Sequence, residues 1–227
     1  MKPINNSTKN KSNQMGLRYK LTYLLAGKIL YFIYWLITRV KIEGLENIPT
    51  NKPVILISNH IRNLDAPCPV FACIKAKRYP SVLAKDTLWK IPILKHLWSV
   101  LGFIPVKRNT KEASNSLFLA NKKLANCECL IIFPEGTTAK VKNKSPLKFK
   151  TGAARLALAH PKTIIIPAAQ DFINGKLFLQ INPPIKYSKT ETVEQLTNKM
   201  YKCVDKLLTE IRNKKIDTNK SFKRCCG

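Results

Sequence analysis

Acidic residues are scarce in this sequence, which has 13 Asp and Glu against 40 Lys and Arg and a formal charge of +27 at pH 7. Such a charge indicates an anionic partner, and the classes that fit are nucleic acid, anionic lipid, and phosphorylated or acidic substrates. The alternative is a Lys-rich surface that is simply well solvated. No nucleic-acid-binding motif is visible, and the aromatic residues do not interleave with the basic runs. We therefore expect no nucleic acid partner.

Spacings typical of metal and cofactor sites are also missing. The seven cysteines form no Cys-x-x-Cys pair, only three histidines are present, and the eight glycines form no phosphate-cradling loop. We therefore expect no metal site and no bound cofactor. An odd number of cysteines without a secretory cleavage pattern is typical of a reducing, cytoplasm-facing location.

The longest apolar run extends from Leu21 to Ile37 and is interrupted by one charge, Lys28. Its length is near the lower limit for a spanning helix, and basic residues flank both ends, which weakens a directional spanning signal. We therefore predict a membrane-anchoring helix over residues 21–38 that lies in the interface, with a spanning helix as the alternative. Residues 1–20, rich in Asn, Lys and Ser, are predicted to be a basic disordered N-terminus.

Short apolar runs alternate with helical patterns through residues 39–213. The runs are Val54–Ile57, Val82–Ala84, Phe103–Val106, Leu130–Phe133, Ile164–Ile166 and Leu177–Ile181. The helical patterns are Asp65–Lys77, Pro92–Leu101, Lys111–Asn126, Gly152–His160 and Glu194–Arg212. Because apolar runs without alternation mark strands buried on both faces, we predict an α/β fold. It would be a single domain with a mainly parallel, largely buried sheet of about seven strands surrounded by helices, followed by a basic C-terminal tail at 214–227.

His60 follows the first of these runs and precedes a predicted helix, a place where α/β folds present reactive side chains. Asp65 comes shortly after it, and the two side chains can meet only across a turn, since a continuous helix would point them about 140° apart. Asn63 supplies turn chemistry, and Asp65 is predicted to be a helix N-cap. Asp65 would then orient the imidazole, whose other nitrogen would take a proton from a hydroxyl. A purely structural histidine is the alternative.

Two further segments carry cations or a tight turn beside predicted strands. Gly102 opens the run Phe103–Val106, and Lys107 and Arg108 follow it as a pair of cations able to bind a phosphate. The segment Phe133-Pro134-Glu135-Gly136-Thr137 follows another run, and its Pro and Gly favour a turn whose backbone N–H groups can face an anion. A solvated basic strand end and an ordinary surface turn are the alternatives.

In this order and after successive strands, these segments resemble the glycerolipid acyltransferase family, whose bacterial archetype is the 1-acyl-glycerol-3-phosphate acyltransferase. The matching blocks are Asn59-His60 with Asp65, Gly102 to Arg108, Phe133-Pro134-Glu135-Gly136-Thr137 and Ile164-Ile165-Ile166-Pro167, with Lys41 to Pro49 and Phe149 to Ala154 as further matches. The order of the blocks makes the resemblance specific. One departure is Thr138, where many members have Arg.

The resemblance implies a reaction, a location and roles for individual residues. The reaction is transfer of a fatty acyl group from acyl-CoA or acyl carrier protein to the sn-2 hydroxyl of 1-acyl-glycerol-3-phosphate, at the cytoplasmic face of the cell membrane. His60 would be the general base and Asp65 its orienter. The implied substrate-binding residues are Asn59, Gly102, Lys107, Arg108, Glu135, Gly136 and Thr137. The implied partners are a membrane lipid acceptor, the acyl donor and an anionic membrane surface.

Other functions stay open on the sequence. Thr138 removes a phosphate-binding cation for which Lys140 or Lys142 could substitute, so the acceptor could be glycerol-3-phosphate or another lysophospholipid. The chain could also be a non-catalytic basic protein that binds membranes or nucleic acid through its charge. Cys68 lies near His60 in sequence and could carry a covalent acyl group, although a free Cys is more often a small buried hydrophobe.

Overall fold

The computed structural model describes residues 28–29, 31–92, 95, 98–99, 101–107, 113–139 and 145–224, and the side chains of these except 113 and 215–224. Outside this set lie residues 1–27, which include the predicted N-terminus and the start of the predicted anchor, and also Arg108, Lys140 and Lys142.

The strands are β1 Lys41–Glu43, β2 Val54–Ser58, β3 Pro80–Lys85, β4 Ile104–Val106, β5 Cys129–Ile132, β6 Ile164–Ile173 and β7 Lys176–Ile181. The helices are residues 31–38, called here the N-terminal helix, and α1 Pro67–Lys75, α2 Ala113–Ala125, α3 Gly152–Ala159 and α4 Val193–Arg224.

The seven strands form one sheet in the order β1-β7-β6-β2-β5-β3-β4. Every neighbouring pair is parallel except β6 and β7. A turn through Asn174 and Gly175, with φ of 48° and 78°, joins these two antiparallel strands, and positive φ at both residues is typical of a tight hairpin. The predicted α/β fold, with a mainly parallel sheet of seven strands surrounded by helices, is confirmed.

Successive residues of β2 point into different cores, which explains the apolar run without alternation. Ile55 and Ile57 pack into a core shared with α2, α3 and α4. Val54 and Leu56 pack on the opposite face, against α1 and the N-terminal helix. All four side chains are fully buried, so a polar residue at any of these positions would leave an unsatisfied group in the interior.

The long last helix, α4, extends beyond its predicted end at Arg212 and continues to Arg224. No Gly or Pro occurs between these residues, so the sequence contains no strong helix breaker at the predicted boundary. The predicted division between domain and C-terminal tail therefore falls inside a continuous helix.

Within the described residues, no helix combines the length and the apolar character that crossing a membrane requires. The N-terminal helix exposes large apolar side chains instead. Phe32, Ile33, Trp35, Leu36 and Ile37 are between 44% and 64% exposed. Tyr34 and Thr38, on the other side, are buried against the domain. The helix thus has one face packed on the protein and one apolar face without a protein covering among the described residues.

The carboxyl ends of β2, β5, β3 and β4 lie at the same edge of the sheet because these strands are parallel. His60 follows β2, the turn at Phe133–Thr137 follows β5, and Lys107 follows β4. In α/β sheets this edge is the usual location of a functional site.

Candidate active site

His60 and Asp65 meet directly at the carboxyl edge of the sheet. Oδ1 of Asp65 lies 2.5 Å from Nδ1 of His60. Oδ2 of the same carboxylate accepts hydrogen bonds from the backbone N–H groups of Ile61 at 2.5 Å and Arg62 at 2.9 Å. One fully buried carboxylate therefore holds both the imidazole and the turn that carries it.

The turn between the two residues is a 3₁₀ turn over Asn63–Asp65, as the turn chemistry at Asn63 predicts. The prediction that Asp65 is a helix N-cap is wrong. Helix α1 begins at Pro67, and the preceding Ala66 makes no side-chain capping bond. The physical reason is that the carboxylate points back to residues 60–62, so it is not available to the first N–H groups of α1.

The surroundings of His60 select one tautomer. A buried carboxylate beside Nδ1 requires that this nitrogen carry the proton, which leaves Nε2 as a proton acceptor. The His60 side chain is 13% exposed, and its ring lies 4.7 Å from the ring of Phe133, centroid to centroid. The imidazole of His60 thus has a carboxylate at Nδ1 and an apolar ring beside it, an arrangement that can support general-base chemistry.

Glu135 faces the backbone of His60, although the resemblance implies that it contacts a substrate. It is 3% exposed, and its Oε1 accepts a hydrogen bond of 3.0 Å from the backbone N–H of His60. Burial raises the pKa of Glu135 to about 7, and the hydrogen bonds from the backbone N–H groups of His60 and Leu147 oppose this shift. The position of Glu135 is that of a residue that supports the His60 loop.

Asn59 is also buried and engaged within the protein. Its Nδ2 donates to the Gln170 carbonyl oxygen at 2.9 Å and to Ser145 Oγ at 3.1 Å, and its Oδ1 accepts from the Gln170 N–H at 2.8 Å. The Gln170 side chain returns a 3.0 Å bond to the Asn59 carbonyl. These bonds join the end of β2 to β6, and the fully buried Asn59 side chain is engaged within the protein.

Arg212 supports the same region from α4, and no pattern in the sequence singles it out. Its Nε donates to Asp171 Oδ2 at 3.0 Å, and its Nη1 donates to the Ser145 carbonyl oxygen at 3.1 Å. Ser145 in turn contacts Asn59. The last helix is therefore linked to the support of the His60 loop through contacts that span 41 and 67 residues.

Gly102 does not lie near His60. It precedes β4, so it is at the amino edge of the sheet, where a Cβ at this position would lie 3.2 Å from Lys123 Nζ and 3.5 Å from Ser81 Oγ. Its φ of 66° explains the glycine as a turn residue. The implied substrate-binding role of Gly102 is therefore not supported by its position. Lys107 is exposed and lies at the carboxyl edge, whereas Arg108 lies outside the described residues.

Gly136 and Thr137 complete the turn after β5. Gly136 has a φ of 68°, and a Cβ at this position would lie 2.9 Å from Cε of Lys150. The positive φ is the reason for glycine at this position, and the side chain of Lys150 passes close over it. Thr137 is exposed beside it.

A cavity of about 320 Å³ opens beside this turn. Its apolar wall includes Leu83, Val106, Leu117, Ile132 and Phe133, and Lys150, Thr151 and Arg155 also line it. Phe133 contacts both the cavity and the ring of His60. Lys150 belongs to the matching block Phe149 to Ala154, and Arg155 follows that block directly. Neither was assigned a role from the sequence, because one cation among 40 does not stand out.

Cys68 lies in the first turn of α1 and is fully buried. Burial raises the pKa of its thiol well above the usual value, and the charge of Asp65 adds to this shift. Since the thiolate is the nucleophile, burial and the raised pKa both argue against the covalent acyl route through Cys68 considered on the sequence.

The fold and site define an α/β protein with a hydrogen-bonded His–Asp pair at the carboxyl edge of a mainly parallel sheet. A family model described as Acyltransferase matches residues 39–170, which is more than half of the 227 residues. The chain belongs to this acyltransferase family. The match includes His60, Asp65, Glu135 and Thr137.

Similar proteins agree with this membership. A 1-acyl-sn-glycerol-3-phosphate acyltransferase of Borreliella burgdorferi is 29% identical over 150 residues, covering 64% of this chain and 57% of that protein. The enzyme of that name from Saccharomyces cerevisiae is 28% identical over 202 residues, covering 81% and 60%. The crystal structure of the 1-acyl-sn-glycerophosphate acyltransferase PlsC from Thermotoga maritima superimposes with a TM-score of 0.70 and 25% identity, covering 88% of this chain and 85% of that one. The chain spans less than two thirds of the length of these curated relatives.

Proposed function

We propose that this protein transfers a fatty acyl group from a thioester to the sn-2 hydroxyl of 1-acyl-glycerol-3-phosphate, giving phosphatidate. The observation that carries the proposal is the 2.5 Å contact between His60 Nδ1 and Asp65 Oδ1. The names of the relatives, which are 1-acyl-sn-glycerol-3-phosphate acyltransferases, support the choice of acceptor.

The reaction would proceed by direct attack. Nε2 of His60 takes the proton of the acceptor hydroxyl while the hydroxyl oxygen forms a bond to the thioester carbonyl carbon. Asp65 stabilises the imidazolium that results. The carbon–sulfur bond then breaks, and the imidazolium returns the proton to the leaving thiolate. The products are the ester and a free thiol, and the base is regenerated.

The donor would be acyl-CoA or acyl carrier protein, since both carry the acyl group as a thioester. Phosphates of coenzyme A and the acidic surface of a carrier protein both fit a chain with a formal charge of +27. The same charge would attract the protein to anionic lipid.

Membrane attachment would place the protein beside an acceptor that resides in the bilayer. We assign this attachment to the exposed apolar face of the N-terminal helix, which includes Phe32, Trp35 and Ile37. An exposed apolar face beside a basic surface is typical of a helix that lies in the interface. The location would be the cytoplasmic face of the cell membrane.

The proposal is tested with the full chain, labelled acyl-CoA or acyl carrier protein, and a panel of lysophosphatidate, glycerol-3-phosphate and other lysophospholipids. We expect phosphatidate from lysophosphatidate, and His60→Ala should abolish it. His160→Ala is the matched control, because His160 follows α3 at the opposite edge of the sheet, and it should stay active. If the protein transfers the acyl group to another acceptor more efficiently than to lysophosphatidate, the assigned acceptor is wrong.

Absence of transfer to every acceptor would overturn the proposal. A basic protein that only binds membranes or nucleic acid would show the same vesicle binding with and without His60→Ala, together with no turnover in either form.

A further inference from the structure

We propose that Lys150 binds the phosphate of the acceptor and replaces the arginine that the family resemblance places at position 138. The inference rests on the proposed function, because it concerns the acceptor of that reaction. It starts from Thr138, which has no charge to offer a phosphate.

Lys150 is fastened to the same turn as Thr138. Its backbone N–H donates to the Pro134 carbonyl oxygen at 2.8 Å. Its side chain crosses Gly136, where a Cβ would lie 2.9 Å from Cε and 3.2 Å from Nζ of Lys150. The amino group therefore lies next to the turn after β5, although it comes from a residue twelve positions beyond Thr138.

The position of Lys150 suits the dimensions of the acceptor. Four covalent bonds separate the sn-2 hydroxyl oxygen from the phosphorus atom, so the two lie less than about 6 Å apart. The turn held by Lys150 follows β5, the immediate neighbour of β2, which carries His60. Lys107 follows β4, three strands from β2, which corresponds to about 15 Å at the usual strand spacing. A phosphate bound at the turn after β5 would therefore lie nearer to His60 than one bound at the end of β4.

Phe133 lies between the cavity and His60. Phe133 contacts the His60 ring at 4.7 Å between centroids and also lines the cavity with Lys150. Arg155 lines the same cavity, and its Nε donates to Thr151 Oγ1 at 3.3 Å. Two cations beside one opening favour a phosphate dianion, and Arg155 would be the second contact.

The experiment compares an acceptor with a phosphate and one without it. Lys150→Met removes the charge and keeps an aliphatic stem over Gly136. We expect kcat/KM for lysophosphatidate to fall about 10- to 100-fold, the loss of one charge-assisted hydrogen bond. Turnover with monoacylglycerol, which lacks the phosphate, should not change. The inhibition constant of glycerol-3-phosphate should rise by the same factor by which kcat/KM for lysophosphatidate falls.

Lys148→Met is the matched control, because Lys148 is exposed on the same segment and does not line the cavity. It should behave as the wild type. Adding Thr138→Arg to Lys150→Met should restore the use of lysophosphatidate, since it returns a cation to the same turn.

The outcomes separate the two proposals. If Lys150→Met matches Lys148→Met, or if it lowers turnover of both acceptors equally, the phosphate assignment is wrong while the acyltransferase proposal stands. If the wild type acylates no acceptor that carries a phosphate, the proposed function itself fails.

Discussion

The hydroxyl of Tyr34 donates a 2.6 Å hydrogen bond to the carbonyl oxygen of Leu64. This bond joins the N-terminal helix to the turn that holds His60 and Asp65. Tyr34 also packs its ring 5.2 Å from that of Phe71 on α1. The helix with the exposed apolar face is therefore attached to the His–Asp turn itself.

Tyr34→Phe should lower stability and activity together, because it leaves the Leu64 carbonyl without this donor. We expect a loss of about 1–3 kcal/mol in the free energy of unfolding, measured by urea denaturation, and a several-fold lower kcat. Tyr31→Phe is the control, since the Tyr31 hydroxyl bonds only the exposed Lys75 among the described side chains. An unchanged Tyr34→Phe protein would mean that the bond to Leu64 does not support the turn.

Asp65→Asn should preserve the fold and abolish most of the turnover. An amide can still accept the N–H bonds of Ile61 and Arg62, but it cannot stabilise an imidazolium as a carboxylate does. We expect kcat to fall about 10³- to 10⁴-fold, the size of effect seen when such an orienting carboxylate becomes an amide. Steady-state kinetics with a circular dichroism spectrum measures both. Asp205→Asn, on the exposed side of α4, should be silent. A comparable rate in both variants would exclude an orienting role for Asp65.

Glu135→Gln should remove a pH dependence of stability. Because burial raises the pKa of Glu135 from 4.5 to about 7, the folded protein binds this proton more tightly than the unfolded chain does. The stability from this group is therefore fully present below pH 4.5 and is lost as the pH rises through 7. The loss is about 1.4 kcal/mol per pKa unit, or about 3 kcal/mol in all.

Urea denaturation at about pH 5.5 and about pH 8.5 measures this effect. The Glu135→Gln protein should lose less stability across this interval than the wild type. Glu194→Gln changes an exposed carboxylate at the start of α4 and should keep the wild-type decline. An equal decline in all three proteins would show that Glu135 titrates as an exposed carboxyl.

Phe32→Asp should weaken binding to vesicles that contain anionic lipid. Phe32 is 59% exposed and its ring lies 6.4 Å from that of Trp35. Burial of one such side chain contributes about 1.5–3 kcal/mol, so we expect binding to weaken at least about tenfold. Vesicle co-sedimentation measures it. Phe118→Asp is the control, because Phe118 is 58% exposed on α2. An equal loss of vesicle binding in both variants would show that the N-terminal helix does not form the proposed membrane contact.

The relation between His60 and Asp65 could be predicted from the sequence, because both residues belong to one short turn and only local geometry brings them together. The mainly parallel sheet could be predicted for a similar reason. Val54–Ile57 and Leu130–Ile132 are apolar at every position, and a strand buried on both faces requires that pattern. The antiparallel pairing of β7 with β6 could also have been predicted, since Asn174-Gly175 is a strong hairpin signal.

The supporting residues of the site could not be predicted in the same way. Glu135 contacts a backbone group 75 residues away, and Asn59 contacts Gln170 at a separation of 111 residues. Whether such a polar side chain faces a substrate or the protein depends on which strands become neighbours. The family resemblance by itself implied substrate-binding roles for both residues. Gly102 shows the same limit of sequence reasoning. It belongs to the same sequence block as Lys107, but the two residues lie at opposite ends of β4 and therefore at opposite edges of the sheet.

The sequence by itself determined the strands other than β1, the His–Asp turn and the excess of positive charge, because these depend on composition and on contacts within a few residues. The tertiary structure alone decided that Glu135 and Asn59 support the His60 loop and that Lys150 covers Gly136. It also decided that Arg212 reaches Ser145 and that Tyr34 reaches Leu64. The physical reason is that these contacts join distant segments, and they exist only when the sheet order and the packing of its helices bring those segments together.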